Sequence, residues 1–194
     1  MKARPWTDTG VYTNFTFNLM FLCEVCDMSV ILRHEKGQSA AIFINDIRLP
    51  AVIGSGGIRT DKNEGDQATP AGYLPFRQVF YRADRVVRPQ TSLRIEALSP
   101  EDGWCDDPEH PDYNRHITLP HAARHETLWR DDHCYDLCLV LGWNDNPVQR
   151  GRGSAIFLHL PPASGFTEGC IALAEPLLRR LIASDARGIE VCPD

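Results

Sequence analysis

The chain of 194 residues has the composition of an ordinary globular protein, with 43% hydrophobic and 24% charged residues, and its length suits one domain. Its formal net charge of −6 at pH 7 argues against nucleic-acid binding, because phosphate recognition needs clustered lysine and arginine. No apolar run approaches the ~18 residues of a transmembrane helix, so we predict no membrane span, and we expect a monomer.

Residues 1–28 lack the strand pattern of the later chain, and we predict a loosely ordered extension there. The stretch "FTFNLMFLCEVC" has the length of the apolar region of a signal peptide. Asn18 interrupts this run and Glu24 follows it closely. We therefore expect translation to begin naturally at Met28 and the protein to be cytoplasmic. Export to the periplasm is the alternative if the segment is an atypical signal.

The seven cysteines indicate a reducing compartment. Their odd number and uneven spacing do not match the disulfide frameworks of small secreted domains. Cys23 and Cys26 form a single CxxC pair. A structural zinc site needs further ligands, so we assign this pair no role.

Residues 29–194 are predicted to form a single domain rich in strands. "AAIFIND" and "IRLPAVIG" are β-branched or aromatic runs separated by Asn45 and Asp46, a pattern typical of a short hairpin. The next stretch, "GSGGIRTDKNEGDQATPAGYLPF", is dense in glycine, proline and turn-forming residues. It indicates a long ordered loop that leads into the strand "LPFRQVFYR".

Residues 89–132 show neither helical nor strand periodicity, and we predict an irregular insertion that covers one end of the sheet. In one interpretation, a polar network around Trp104 and Tyr113 shapes a substrate cleft. In the other, acidic and histidine residues of this region form a metal site, although no pair has the HExxH spacing. The candidates are Asp106, Asp107, His110, His116, His121, His125 and His133. We favour the polar network, and predict neither a metal nor an organic cofactor.

The last third of the chain is predicted to hold two buried strands, a helix and a final strand. "CYDLCLVLGWNDNP" and the nearly all-apolar "GSAIFLHL" are the buried strands. Cys134 and Cys138 are an even number of residues apart, so on a strand both would face one side and pack in the core. "AEPLLRRLIASDA" has Pro176 near its first turn and an apolar stripe, which indicates a helix, and "GIEVC" is the final strand. The predicted fold class is mainly β with few helices, a β-rich α+β fold.

A histidine and a cysteine lie close together in sequence, at His159 and Cys170. A thiol attacks acyl carbon as the thiolate, and a cysteine with an ordinary pKa of about 8.5 needs a base to reach that form at neutral pH. Gly169 permits a tight turn directly before the cysteine, where backbone N–H groups could stabilise an oxyanion. A packed histidine and a buried structural thiol are the alternative interpretation of the same residues.

Two stretches together carry a family resemblance. "HLPPASGFTEGCIAL" resembles the signature of the L,D-transpeptidase (YkuD-type) catalytic domain, in which a strand-end histidine and a loop precede Ser or Thr, His, Gly and Cys. "GSGGIRTDKNEGDQATPAGYLPF" is similar to the family's Gly-rich turn followed by Thr-Pro-x-Gly and a strand. The matches occur in the family's order. They imply a sandwich of two packed sheets with a helix after the cysteine strand.

The resemblance also implies roles for individual residues. Cys170 would be the nucleophile and His159 the base. Thr167 matches the family's Ser or Thr position, and Gly169 the glycine whose neighbourhood supplies oxyanion N–H groups. The backbone carbonyl that follows the histidine is the third catalytic member in the family, and here it would belong to Leu160.

Three departures from the family pattern alter the expected site. The loop between the histidine and the cysteine is shorter than usual. Glu168 stands where the family usually has histidine, which places an acid beside the thiol and the substrate, and Ala172 replaces a common arginine. We therefore consider Arg150 and Arg152 as candidates for binding a substrate carboxylate. The alternative for these two arginines is a solvated turn.

The activity that the resemblance implies is acyl transfer on peptidoglycan stem peptides or muropeptides. Cys170 would attack the carbonyl of the L-stereocentre of the diamino acid at position three and expel terminal D-Ala. Carbapenems acylate the nucleophile in this family. The short loop and Ala172 lead us to expect water as the acceptor, which makes the protein an L,D-carboxypeptidase. The alternatives are L,D-transpeptidase cross-linking or D-amino-acid exchange and, from another class, a non-catalytic wall-peptide-binding module.

Overall fold

The structure is a computed structural model that describes residues 28–45 and 47–193. The predicted N-terminal extension, with Cys23 and Cys26, lies outside the described residues except for Met28. The domain boundary at residue 28 therefore stays a prediction.

Strands dominate the described residues, which contain one α-helix. The elements in chain order are β1 (Val30–Lys36), β2 (Ser39–Ile44), β3 (Ile47–Val52), β4 (Ile58–Arg59), β5 (Thr69–Pro70), β6 (Gly72–Tyr81), β7 (Arg94–Ala97), β8 (Asp102–Cys105), β9 (His116–Thr118), β10 (His125–Thr127), β11 (Leu137–Leu141), β12 (Phe157–His159), β13 (Ile171–Ala172), α1 (Glu175–Ile182) and β14 (Gly188–Val191). The predicted mainly β fold, with a helix after the cysteine strand, is confirmed.

Nine of these strands form one sheet in the order β11-β12-β13-β3-β2-β1-β14-β6-β7. Strand β11 also pairs with β6, so eight of the strands close into a ring. The two packed layers expected from the sequence are walls of this continuous sheet, and their inward side chains share one apolar core. The predicted hairpin is present as β2 and β3, with Ile44 opposite Ile47.

Strand β11 is buried on both faces, as its nearly continuous apolar sequence predicts. Its odd-numbered residues Leu137, Leu139 and Leu141 join the main core. Cys138 and Val140 point to the opposite face, into a second apolar cluster that also contains Cys134 and Cys170. Cys134 and Cys138 therefore pack together as expected. The argument from a shared strand was nevertheless wrong for Cys134, because β11 begins only at Leu137.

The insertion at residues 89–132 is more regular than predicted. It contains β7, which pairs parallel with β6, and a separate three-stranded sheet in the order β10-β8-β9. We call the three-stranded sheet the small sheet. The prediction of an irregular segment was wrong because strands of three or four residues are too short to show an alternating pattern over several positions.

Helix α1 begins at Glu175 and ends at Ile182, with proline in its first turn. Leu178 and Leu181 are buried against the main core, which confirms the helix predicted from the apolar stripe. No helix among the described residues is long and apolar enough to cross a membrane.

Candidate active site

The pairing of β12 with β13 places the histidine and the cysteine on one face of the sheet. The two strands are parallel, with Leu158 opposite Ile171 and His159 opposite Ala172. Leu158 and Ile171 belong to the main core. Because successive side chains point to opposite faces, the adjacent His159 and Cys170 point away from that core. Both line one cavity of about 570 Å³.

The thiol of Cys170 is buried at the floor of this cavity, with the residue 8% exposed. Its Sγ donates a hydrogen bond to the carbonyl oxygen of Ala155 at 3.1 Å and accepts one from the N–H of Phe157 at 3.3 Å. Burial raises the pKa of Cys170 to about 12, and the negative charge of Glu126 contributes to the rise. The resting sulfur is therefore a thiol at neutral pH.

The imidazole of His159 is held in one tautomer. Its Nδ1 lies 2.7 Å from the carbonyl oxygen of Leu160, and a carbonyl can only accept, so Nδ1 carries the proton. The ring of Tyr135 packs edge-on against the imidazole, with 5.2 Å between centroids. Burial lowers the pKa of His159 to about 4. The imidazole is therefore neutral at pH 7, and its unprotonated Nε2 can accept a proton.

The turn before Cys170 depends on a close approach between backbone segments. Gly169 has a φ of +131°, and a Cβ there would lie 2.9 Å from the carbonyl oxygen of Ala68. A Cβ on Gly54 would lie 2.2 Å from the carbonyl oxygen of Gln67. Neither distance can accommodate a side chain. The Gly-rich stretch and the cysteine turn, which are far apart in sequence, are thus packed backbone against backbone.

Two threonine hydroxyls fix the cysteine loop from either side. Buried Thr167 donates to the carbonyl oxygen of Cys170 at 2.5 Å and accepts a long hydrogen bond of 3.4 Å from the N–H of Gly169. Thr69, from the Thr-Pro-x-Gly stretch, contacts the same carbonyl at 3.5 Å and accepts the N–H of Gly54 at 3.0 Å. Thr69 was not among the predicted site residues, although the upstream motif could have indicated it.

Several charged side chains line the cavity. Glu64, Asp106, Glu126 and Glu168 line it, together with Arg130. The guanidinium of Arg130 contacts Glu126 at 3.2 Å and pairs with Asp132. Burial raises the pKa of Glu126, whereas hydrogen bonding to Tyr135 and the charge of Arg130 lower it.

A comparison with family models matches residues 31–184 to the L,D-transpeptidase catalytic domain (YkuD). The chain belongs to this family. The matched range contains all the residues that line the cavity. Membership supports L,D-transpeptidase-type catalysis on peptidoglycan peptides. Comparisons with curated proteins and with solved structures found no match.

The departures from the L,D-transpeptidase pattern have clear positions in the structure. Glu168 is exposed at the cavity rim. Ala172 stands where the family commonly has arginine and is 1% exposed. It lies opposite His159 on one neighbouring strand and opposite Val52 on the other, so this position is enclosed.

Arg150 and Arg152 are not among the residues that line the Cys170 cavity. Arg150 pairs with Glu109 at 3.4 Å and lines a separate cavity, and Arg152 contacts Asn63. The arginine that does reach the cavity is Arg130, which the sequence analysis missed. It lies in a segment without a recognisable spacing pattern, so only the fold brings it to the site.

A buried network supports Glu64, which lines the cavity. The hydroxyl of Tyr113, which is 1% exposed, donates to Glu64 Oε2, and Ser154 donates to the same oxygen at 2.8 Å. Trp104 Nε1 donates to Asn114 at 3.0 Å. These contacts fit the interpretation of the insertion as a polar network that shapes the cleft.

Among the described residues considered as a metal site, His110 and His121 come together, beside Asp112. Ligand atoms of His110, Asp112 and His121 lie within 4.8 Å of one another, but the Nδ1 atoms of both histidines accept backbone N–H groups at 3.2 Å. The remaining candidates have separate partners: His116 contacts Asp102, His125 contacts Ala123, His133 contacts Asp136, Asp106 pairs with Arg124 and Asp107 accepts the N–H of Glu109.

Proposed function

We propose that this protein is a cysteine acyltransferase that removes terminal D-Ala from peptidoglycan tetrapeptides, with water as the acceptor. The observation that carries the proposal is the placement of Cys170 and His159 on one sheet face in one cavity, with Nδ1 of the histidine bound to the Leu160 carbonyl. This arrangement leaves Nε2 of His159 free to accept the proton of the Cys170 thiol.

The first half-reaction begins from a neutral thiol and a neutral imidazole. As Sγ of Cys170 bonds to the carbonyl carbon of the diamino acid at position three, its proton passes to Nε2 of His159. The imidazolium then protonates the departing amine of D-Ala as the peptide C–N bond breaks. A thioester on Cys170 remains. The carbonyl of Leu160, which accepts from Nδ1 at 2.7 Å, stabilises the transient positive charge.

The surrounding residues have supporting roles in this proposal. Thr167 and Gly169 hold the turn that presents the thiol, and backbone N–H groups of that turn stabilise the oxyanion. Arg130 is the cavity cation that suits the terminal carboxylate of the substrate, in place of Arg150 and Arg152. Glu168, at the rim, contacts the polar parts of the stem peptide.

Hydrolysis is favoured over cross-linking by the size and charge of the site. The short loop between His159 and Cys170 offers little surface to a second stem peptide, and a cavity of about 570 Å³ suits one peptide end. Several carboxylates line the cavity, and these repel the carboxylates of a second stem.

A product assay tests this proposal. The protein is incubated with purified disaccharide tetrapeptide, and then with an excess of acceptor tetrapeptide or free D-amino acid. We expect mostly disaccharide tripeptide by mass spectrometry. Abundant cross-linked dimer or D-amino-acid exchange product would instead identify a transpeptidase.

A non-catalytic peptide-binding module is the second candidate, and the burial and raised pKa of the Cys170 thiol favour it. This candidate predicts saturable binding of the tetrapeptide by calorimetry without any release of D-Ala. The acyltransferase proposal predicts release of D-Ala that depends on Cys170.

A further inference from the structure

Glu126 presents a carboxylate to the Cys170 cavity from outside the nine-stranded sheet. It lies on β10 of the small sheet, opposite Trp104 on β8. Its Oε1 accepts hydrogen bonds from the hydroxyl of Tyr135 at 2.7 Å and from Arg130 at 3.2 Å. Among the described residues, no group donates a hydrogen bond to its Oε2. One oxygen is therefore anchored, and the other can take a proton.

The carboxylate of Glu126 is electrostatically coupled to the thiol. Its negative charge is the main contribution, after burial, to the raised pKa of Cys170. Tyr135, which binds Glu126 through its hydroxyl, also packs its ring against the imidazole of His159. Glu126 is thus held by the same side chain that positions the base of the first half-reaction.

We propose that Glu126 is the base of the second half-reaction and takes a proton from the water that attacks the thioester on Cys170. This role rests on the proposed function. The water oxygen bonds to the thioester carbon, and one water proton passes to Oε2 of Glu126. The C–S bond then breaks, the proton returns from Glu126 to the departing sulfur, and the tripeptide leaves as its carboxylic acid. Carboxylate and thiol are both regenerated.

Burial shifts the pKa values of the two candidate bases in opposite directions. Burial lowers the pKa of His159 to about 4, which makes the imidazole a weak base. Burial raises the pKa of Glu126, although Tyr135 and Arg130 oppose the rise, and so strengthens its carboxylate as a base. The charged and titratable groups around Glu126 are Arg130, Tyr135, Asp106, Glu168, Cys134, Cys138 and Cys170.

Single-turnover kinetics test the role of Glu126. An excess of protein is mixed with disaccharide tetrapeptide, the reaction is quenched with acid, and the mass of the intact protein is measured. Glu126→Gln keeps the size of the side chain and an oxygen that can accept from Tyr135. We expect a tripeptide thioester to accumulate in this variant. Its formation should stay within about threefold of wild type, and its hydrolysis should slow by about 10²–10³-fold, as for loss of a general base.

Glu96→Gln is the matched control, because Glu96 is a glutamate of the same insertion that binds Arg94 and Gln78 and is not among the residues that line the Cys170 cavity. Both steps should stay within about threefold of wild type in this variant. The role of Glu126 is overturned if Glu126→Gln hydrolyses the thioester at the wild-type rate, or if both half-reactions slow equally. Wild type and Glu126→Gln could instead release D-Ala without forming a thioester, with the release retained in Cys170→Ala. That result would overturn the proposed function, and the role of Glu126 with it.

A pH profile separates a base from a merely structural residue. The hydrolysis step should lose rate at low pH as Glu126 becomes protonated, and this acid limb should be absent in Glu126→Gln. In Tyr135→Phe it should move to higher pH, because the tyrosine hydrogen bond lowers the pKa of Glu126. An acid limb unchanged in both variants would contradict the proposal.

Discussion

The two sides of the cavity differ in origin and character. On one side, β12 and β13 of the nine-stranded sheet hold His159 and Cys170, both nearly excluded from solvent, on a rigid apolar frame. On the other side, the small sheet and the segment after it supply Glu126 and Arg130. The nucleophile and its base thus depend on the nine-stranded sheet, whereas Glu126 and Arg130 come from the insertion at residues 89–132.

The largest effect should come from Cys170, compared with Cys138 in the same apolar cluster. Cys170→Ala should abolish release of D-Ala, because it removes the atom that carries the acyl group. Cys138→Ala removes an equally buried thiol on β11 and should keep turnover within about threefold. Chromatographic detection of D-Ala measures both. Full turnover in Cys170→Ala would refute the assignment of the nucleophile.

His159 should have the next largest effect, and on the first half-reaction. His159→Gln should slow thioester formation by about 10²–10⁴-fold, the usual loss for a general base. His110, a histidine of the insertion, offers the matched control, and His110→Gln should leave the rate unchanged. An equal response of the two variants in stopped-flow or quench experiments would contradict the role of His159 as the base.

The depressed pKa of His159 also predicts a pH dependence of stability. Because its folded-state pKa of about 4 lies below the ordinary histidine pKa of about 6.5, the unfolded chain binds more protons between these values. Stability that is present above pH 6.5 should therefore be lost as pH falls towards 4, by about 2–3 kcal/mol.

Urea denaturation at several pH values measures this loss, and His159→Gln isolates it from the contribution of carboxylates. The variant should lose less stability than wild type between pH 6.5 and 4. Parallel curves for the two proteins would show that the imidazole titrates normally in the folded state.

The smallest effect concerns the turn that joins the cysteine to the Gly-rich stretch. Gly169→Ala should cost about 1–3 kcal/mol more than Gly165→Ala. Both glycines have positive φ, but a Cβ at Gly165 meets no atom within 4 Å, whereas one at Gly169 meets the Ala68 carbonyl. Equal losses of unfolding free energy would show that the crowding at Gly169 is relieved at little cost.

The elements that could be predicted from sequence are those whose signal is local. The hairpin, the helix and the buried strands show apolar patterns over several consecutive residues. His159, Gly169 and Cys170 fall within one short motif, and Gly169 of this motif lies against Ala68 of the other family-like stretch.

The charged side of the cavity could not be predicted, because its residues meet only through long-range folding. Glu126 lies on a strand of three residues, and Arg130 follows in a segment without periodicity. Conversely, Arg150 and Arg152 are close to β12 in sequence, but the chain directs Arg150 towards Glu109 and Arg152 towards Asn63. Proximity in sequence does not fix the direction of a loop side chain.

The central claim is that Cys170 is the residue acylated in this cavity, and peptide mapping after reaction with a carbapenem tests it most directly. We predict one covalent adduct, on the peptide that contains Cys170, and no adduct in Cys170→Ala, while Cys138→Ala reacts as wild type does. An adduct on Cys134 or Cys138, or an unmodified Cys170 after prolonged reaction, would contradict the account.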